Sequence, residues 1–318
     1  MFADIKRRIT DKISEFKMKK NYHKNKSGQA KADTSKMVIF IIFFVLFIIQ
    51  SFISVYPLFW CIMNSLKTNV DYLENMNGLP TVWMWEIWKD IVPSFTIIVR
   101  GGKRVTFWGM IFNSIWFAFG TQFMNVLASI CVAYPLARYN FPGKGFLYGI
   151  IIFRITIPII GTGSVGYKLE RALGMIDNPV RYTLGAFQGF DMNALIMYGY
   201  FKAVSKEYSE AAFIDGAGPL KVLFSVVIPQ AFPCVLALYV NSVMGQWNNY
   251  GAPLISLPSY PNLAFGIYMA DQSSSFLGVN NKAKFFGAVL LSSAVPLLLF
   301  TIAQKTMINN MSVGGLKG

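Results

Sequence analysis

Histidine is almost missing from this 318-residue chain: the one present, His23, stands in a Lys- and Asn-rich stretch. A lone histidine there excludes a His-based triad and a HExxH metal site. Cysteine is nearly as scarce. Cys61, Cys131 and Cys234 fall inside long apolar runs at irregular spacing and with no neighbouring His, so neither a disulfide framework nor a zinc site is indicated. Charged residues make up only 14% of the chain, with 15 acidic against 29 basic. A GxxxxGK[ST] phosphate cradle is missing as well, because Gly102-Lys103 is followed by Arg104 and Gly143-Lys144 by Gly145. Nothing in the sequence is built to bind and hydrolyse ATP. No catalytic, metal-binding or cofactor-binding residue is assigned.

Apolar side chains dominate instead, at 54% of residues with a mean hydropathy of +0.45. Runs long enough to cross a bilayer account for that excess. The uncharged run Met37–Met63 is too long for a signal-peptide core, and no small-residue cleavage site follows it. Further runs cover Phe107–Leu136, Phe146–Gly166, Tyr182–Ala203, Val222–Trp247 and Phe285–Ile308, each near the ~20 residues that span ~30 Å of hydrocarbon. The fold expected is all-α and polytopic, with six transmembrane helices. Its proline content (Pro135, Pro158, Pro229, Pro233, Pro296) is tolerable because neighbouring helices satisfy the freed carbonyls. The expected divisions are a basic tail at 1–36, a first span at 37–63, an external loop at 64–106, a core at 107–308 with a cytoplasmic loop at 202–221, and a tail at 309–318.

The formal net charge of +14 is concentrated at one end, with eleven of the 29 Lys and Arg residues in the first 36 positions. A basic flank on a span is a topology signal that holds that end in the cytoplasm, not a nucleic-acid site. With that end inside, the segments before Met37, at 137–145, at 202–221 and after Ile308 together carry more basic residues than the longer outer segments. The orientation expected is N-in, C-in. Phe2, Ile5, Ile9, Ile13 and Phe16 recur every three or four positions among Lys and Arg, which fits either a basic amphipathic helix on anionic lipid or a solvated tail. The outer segment 64–106 holds Trp83, Trp85 and Trp88, a cluster suited to a membrane interface or a docking surface.

One cytoplasmic loop breaks the apolar pattern. Tyr208–Pro229 reads YSEAAFIDGAGPLKVLFSVVIP. Ala211 and Ala212 permit close approach of another surface, Phe213 and Ile214 offer an apolar face, and Gly216 and Gly218 end a short helix that Pro219 prevents from continuing.

Glu210-Ala211-Ala212, Asp215-Gly216-Ala217-Gly218, Phe224, Val227 and Ile228-Pro229 together resemble the EAA signature of binding-protein-dependent ABC importer permeases, with Val227 and Ile228 in place of the commoner Ile and Leu. The resemblance runs from Tyr56-Pro57 to the end and is closest to the MalG-like permeases of carbohydrate (type I) importers. Ala137-Arg138-Tyr139-Asn140-Phe141-Pro142-Gly143-Lys144 is similar to the family's turn between core helices, and Gly174-Met175-Ile176-Asp177-Asn178, Gln246-Trp247-Asn248-Asn249 and Pro253-Leu254 resemble further family segments. The resemblance implies a bacterial plasma-membrane permease, without enzyme activity of its own, for a carbohydrate such as an oligosaccharide. It implies a coupling helix at Glu210, Ala211, Ala212, Asp215, Gly216 and Gly218 that seats in a separate ATPase subunit, with a secondary ATPase contact at Gly315, Leu316, Lys317 and Gly318. It also implies a second, non-identical permease, two ATPase copies that use ATP and magnesium, and an external solute-binding protein.

Arg154 and Asp191 lie inside expected spans, on the order of 15 Å from the cytoplasmic ends at ~1.5 Å per residue. Charges at such depth are costly, so the two are expected to pair, beside a solute pathway or as a structural element. Trp247, Asn248 and Asn249 combine a flat ring with amide donors and acceptors, which suits a sugar face, or in the case of Trp247 an interfacial anchor. Two rival functions remain. An ion-coupled secondary transporter would use Arg154 and Asp191 as coupling charges, but no internal repeat is evident. A membrane scaffold would tolerate their neutralisation.

Overall fold

The computed structural model describes residues 36–157, 162–272 and 282–311, with side chains described to 307. The basic tail with its candidate amphipathic helix and the Gly315–Gly318 contact lie outside them. The chain forms two compact units, Met1–Trp60 and Cys61–Gly318.

Of the first unit, the described part is most of helix α1, Lys36–Asn64, whose last turn belongs to the second. Its apolar side chains are exposed almost without exception, with Phe40 68% and Phe47 76% accessible, and its mean hydropathy is 2.9. An apolar helix with no packed stripe is built for lipid or for another subunit, not for water.

The second unit begins with short helices α2 (Asn69–Glu74) and α3 (Ile87–Ser94), then a two-stranded hairpin, β1 (Thr96–Ile98) and β2 (Arg104–Thr106), in register Ile97 to Val105. Helices α4 (Phe107–Ile115) and α5 (Thr121–Arg138) follow, joined by a π turn at Trp116–Gly120 into one apolar rod. Next come α6 (Lys144–Thr156), α7 (Thr162–Ala172), α8 (Pro179–Gly185), α9 (Met192–Ala203), α10 (Glu207–Ile214) and α11 (Pro219–Val222). A second π turn at Leu223–Val227 leads into α12 (Ile228–Trp247), followed by α13 (Gly251–Ser256), α14 (Leu263–Gln272) and α15 (Lys282–Met311). The second π turn has a local cause. The Pro229 ring crowds the carbonyl four residues back, at Ser225, and widening that turn relieves the contact.

Among the described residues, four helices are long and apolar enough to cross a membrane: Lys36–Asn64, Phe107–Arg138, Pro219–Trp247 and Lys282–Met307. The expected third and fourth spans are built differently. The run 146–166 is divided between α6 and α7, and 182–203 between α8 and α9. The α8–α9 break is specific. Gly189 adopts φ +69, and a Cβ there would stand 2.6 Å from the Ala128 carbonyl oxygen, so only glycine lets this turn lie against α5. Asp191 then caps α9 by accepting from the Ala194 amide at 3.0 Å.

Helix α5 packs most extensively on α9, and α12 on α15. Val126, Ile130, Tyr134, Met197, Phe201, Val222 and Val227 form a core where α5, α9 and α12 meet. A second core at the other end joins Ile91, Phe95, Phe107, Met110, Trp247, Leu263 and Ala288.

Candidate functional site

Helix α10 and its exit form a closed small-residue knuckle. The Ala217 amide donates to the Ala212 carbonyl and the Gly216 amide to the Phe213 carbonyl, both at 3.0 Å, while Gly216 takes φ +82. This pair of bonds around a left-handed glycine is a Schellman ending, and it satisfies carbonyls that a helix end leaves open. Gly218, at φ −73, precedes α11 as its N-cap residue.

Ala212 and Ala217 pack against the α5–α9–α12 core, while Glu210, Ala211, Asp215, Gly216 and Gly218 face outward. Around them Ile214 is 87% exposed and Leu220 72%, with Tyr208, Phe213 and Phe224 also open. Beneath the helix Arg138 reaches the Ser205 carbonyl at 3.5 Å, and its Nε and Nη1, the Tyr139 hydroxyl and the buried Ser209 hydroxyl find no partner among the described residues.

Arg154 and Asp191 do not pair, contrary to expectation. Arg154 donates to the Phe190 carbonyl at 3.0 Å and to Gln188 Oε1 at 2.8 Å. Asp191 accepts from Asn125 Nδ2 at 2.9 Å and the Ser129 hydroxyl at 3.0 Å, in addition to the Ala194 amide. Asn193 extends this network to Asn125 Oδ1 and Ser242, tying α5, α9 and α12 together. The reason is the break itself: it turns Asp191 into a helix cap, where neutral donors satisfy the carboxylate, and leaves backbone carbonyls free for the guanidinium.

Arg154 instead lines a cleft of ≈ 720 Å³ with Tyr167, Glu170, Tyr182 and Gln188. A smaller pocket of ≈ 170 Å³ shares Glu170, Tyr182 and Gln188 and adds Gln122, Asn125 and Gln246. Glu170 is anchored by the Ser256 hydroxyl at 2.5 Å, and Asp177 by the amide and hydroxyl of Ser259 at 2.9 and 2.6 Å. These bonds fasten the segment around α7 and α8 to α13 and the loop that follows it.

Trp247 also departs from its expected place. It is 2% exposed, and its indole N–H donates to the carbonyl and hydroxyl of Ser292 at 3.1 and 3.3 Å. Its ring is spent on packing α12 against α15 and offers no face to a solute or an interface. Asn249 is likewise structural, its side-chain oxygen accepting from the Ala252 amide in the first turn of α13 and its backbone carbonyl accepting from Asn262 Nδ2. Asn248 is exposed and lines a separate cavity of ≈ 370 Å³ beside Tyr250, Tyr268 and Asp271.

Residues 124–309 match the family model of the binding-protein-dependent transport system inner membrane component. The chain belongs to this family. It is 25% identical over 272 residues to the "Diacetylchitobiose uptake system permease protein NgcG" of Streptomyces coelicolor, covering 85% of this chain and 86% of that protein. To the "Arabinooligosaccharides transport system permease protein AraQ" of Bacillus subtilis it is 24% identical over 278 residues, covering 86% and 94%. To the "Maltose/maltodextrin transport system permease protein MalG" of Salmonella typhimurium it is 26% identical over 259 residues, covering 76% and 83%. Its fold matches a chain of a bacterial ABC transporter involved in the import of the acidic polysaccharide alginate, with a TM-score of 0.69 at 20% identity over 85% of this chain and 97% of that one.

Within this inner-membrane-component family fold, sequence patterns found the knuckle but not the cleft. Glu170, Tyr182 and Gln188 lie in segments that look like ordinary loops and span ends, and only the α8–α9 break brings them to Arg154. A signal was present in Gly189, a glycine inside an apolar run next to Phe190-Asp191.

Proposed function

We propose that this chain is the permease subunit of an ATP-driven ABC importer for a carbohydrate, an oligosaccharide in particular, in the bacterial inner membrane. It forms half of the pathway beside a second permease, and two copies of a separate ATPase and an external solute-binding protein complete the complex. The carbohydrate assignment draws support from the named substrates of its relatives, which are oligosaccharides in three systems. The observation that carries the coupling role is the α10 knuckle. A short helix closed by Gly216 presents Ala211 and Ile214 outward, with Leu220 of α11 exposed beside them, where a cleft in an ATPase can grip it. Glu210, Ala211, Ala212, Asp215, Gly216 and Gly218 are its coupling residues, and Gly315–Gly318 a secondary contact.

In this reading the chain crosses the membrane six times with both ends inside, two of the crossings being the interrupted pairs α6–α7 and α8–α9. Interrupted helices at membrane depth are tolerated where they line a polar cavity, and the Arg154–Glu170–Gln188 cleft is such a place. Its amide, hydroxyl and phenol groups suit the hydroxyls of a sugar.

Purification of the complex from its native membrane, identification of the co-purifying subunits, and uptake assays in vesicles test the proposal. Solute uptake that requires ATP and the ATPase partner supports it. Uptake that survives removal of the ATPase and follows an ion gradient overturns it in favour of a secondary transporter.

A further inference from the structure

The segment that follows α1 is inside out. Lys67 and Asp71 are 1% and 6% exposed, while Val70, Leu73, Leu79, Val82 and Trp85 are between 58% and 78% exposed. Lys67, Asp71 and Asn75 are consumed internally, and Glu74 alone among the acidic residues of 70–85 stays exposed. Lys67 Nζ donates to the Asn75 carbonyl, and the Asp71 carboxylate accepts from the Thr81 amide at 2.9 Å. Asn75 Oδ1 accepts from the Gly78 amide at 2.8 Å, and its Nδ2 donates to the Leu79 carbonyl at 3.3 Å. The Met84 amide is held by the Leu66 carbonyl at 2.9 Å. Water penalises this pattern twice, by wetting apolar area and by desolvating charge. Lipid rewards it, because a segment that closes its own hydrogen bonds and turns its aliphatic groups outward meets the two demands of a hydrocarbon boundary.

We propose that residues 70–85 form a wedge seated in the bilayer leaflet at the Asn64 end of α1. Continuity favours lipid over a protein partner. The wedge begins a few residues beyond a span, in the unit that contains the span's last turn. Its exposed Trp83 and Trp85 rings stack at 5.9 Å with planes 12° apart, a broad aromatic plate of the kind that settles at headgroup depth. No Lys or Arg falls between Lys67 and Lys89, so the wedge holds by its apolar area and not by attraction to anionic lipid. Trp88, the third member of the cluster, turns inward and packs on the core, which fixes the wedge to the rest of its unit. The Asn69 side chain accepts from the Lys282 amide at 3.0 Å and Tyr72 packs on Phe286, so the wedge is also bolted to the start of α15. This inference stands apart from the coupling role of α10.

The test is spin-label accessibility. The full chain, with Cys61, Cys131 and Cys234 replaced by alanine, is labelled at Leu73→Cys, Val82→Cys or Arg100→Cys. It is reconstituted with its co-purifying subunits in phosphatidylcholine–phosphatidylglycerol vesicles. Labels at 73 and 82 should collide more with oxygen, which partitions into lipid, than with a water-soluble nickel chelate, and the label at 100, on the hairpin tip, should do the reverse. Nickel-dominated collisions at 73 and 82 overturn the wedge. Immobilised labels shielded from both reagents also overturn it, and assign the surface to a protein partner.

Discussion

The Ala217 amide meets the Ala212 carbonyl at 3.0 Å across Gly216, and this bond closes α10 where the chain turns into α11 and α12. Gly216 permits the turn because it holds φ +82, whereas Gly218, two residues later, sits at an ordinary φ of −73. Both have open space where a Cβ would go, so they differ in backbone strain and not in packing. Gly216→Ala should therefore cost about 1–2 kcal/mol of loop geometry and Gly218→Ala far less. ATP-driven uptake in vesicles, measured at matched complex content, should fall several-fold for the first and remain near wild type for the second.

The α8–α9 break depends on Gly189 lying against Ala128. Alanine at 189 collides with backbone and should destabilise the α5–α9 packing by about 1–3 kcal/mol, the usual cost of overfilling a packed contact. Gly199→Ala on α9, with open space around it, serves as the control. Thermal unfolding of the purified complex followed by size-exclusion chromatography should separate the two.

Because Arg154 and Asp191 bond to different neutral partners, exchanging them should not restore what either single substitution loses. Arg154→Asp with Asp191→Arg should be at least as impaired in uptake as the worse single variant. Arg154→Met should lose transport while the complex assembles normally, since the guanidinium lines the cleft without closing a helix. Unchanged uptake in Arg154→Met would remove it from the pathway.

Trp247→Phe keeps the ring volume but forfeits the bonds to Ser292. Leaving that buried carbonyl and hydroxyl without their donor should cost about 1–3 kcal/mol in stability. The KM for uptake should stay unchanged, which a sugar-stacking ring would not allow.

Periodicity and punctuation made much of this molecule readable. The apolar runs at Met37–Met63, Phe107–Leu136, Val222–Trp247 and Phe285–Ile308 appear as continuous helices, because spans declare themselves by length and hydropathy. The end of α10 was readable because Gly-x-Gly-Pro leaves the backbone few alternatives. The runs 146–166 and 182–203 misled for the same reason. Hydropathy averages over a window, and Gly189 and Asp191 break a helix without lowering that average enough to show. Partners of buried polar groups were unreadable, since Asp191 is satisfied by Asn125 and Ser129, more than sixty residues away. Trp247 looked available because its sequence neighbours are amides, and only the packing of α15 shows that its ring is enclosed.

The central claim is that the outward face of α10 is what an ATPase grips, and Ile214→Asp tests it most directly. Ile214 is almost wholly exposed within this chain, so its replacement leaves the core untouched. The measurement is ATP-dependent solute uptake by vesicles holding the reconstituted complex, with co-purification of the ATPase scored on the same preparation. Loss of both, in a chain that unfolds at the wild-type temperature, is the predicted result. Wild-type uptake with the ATPase still bound would contradict it.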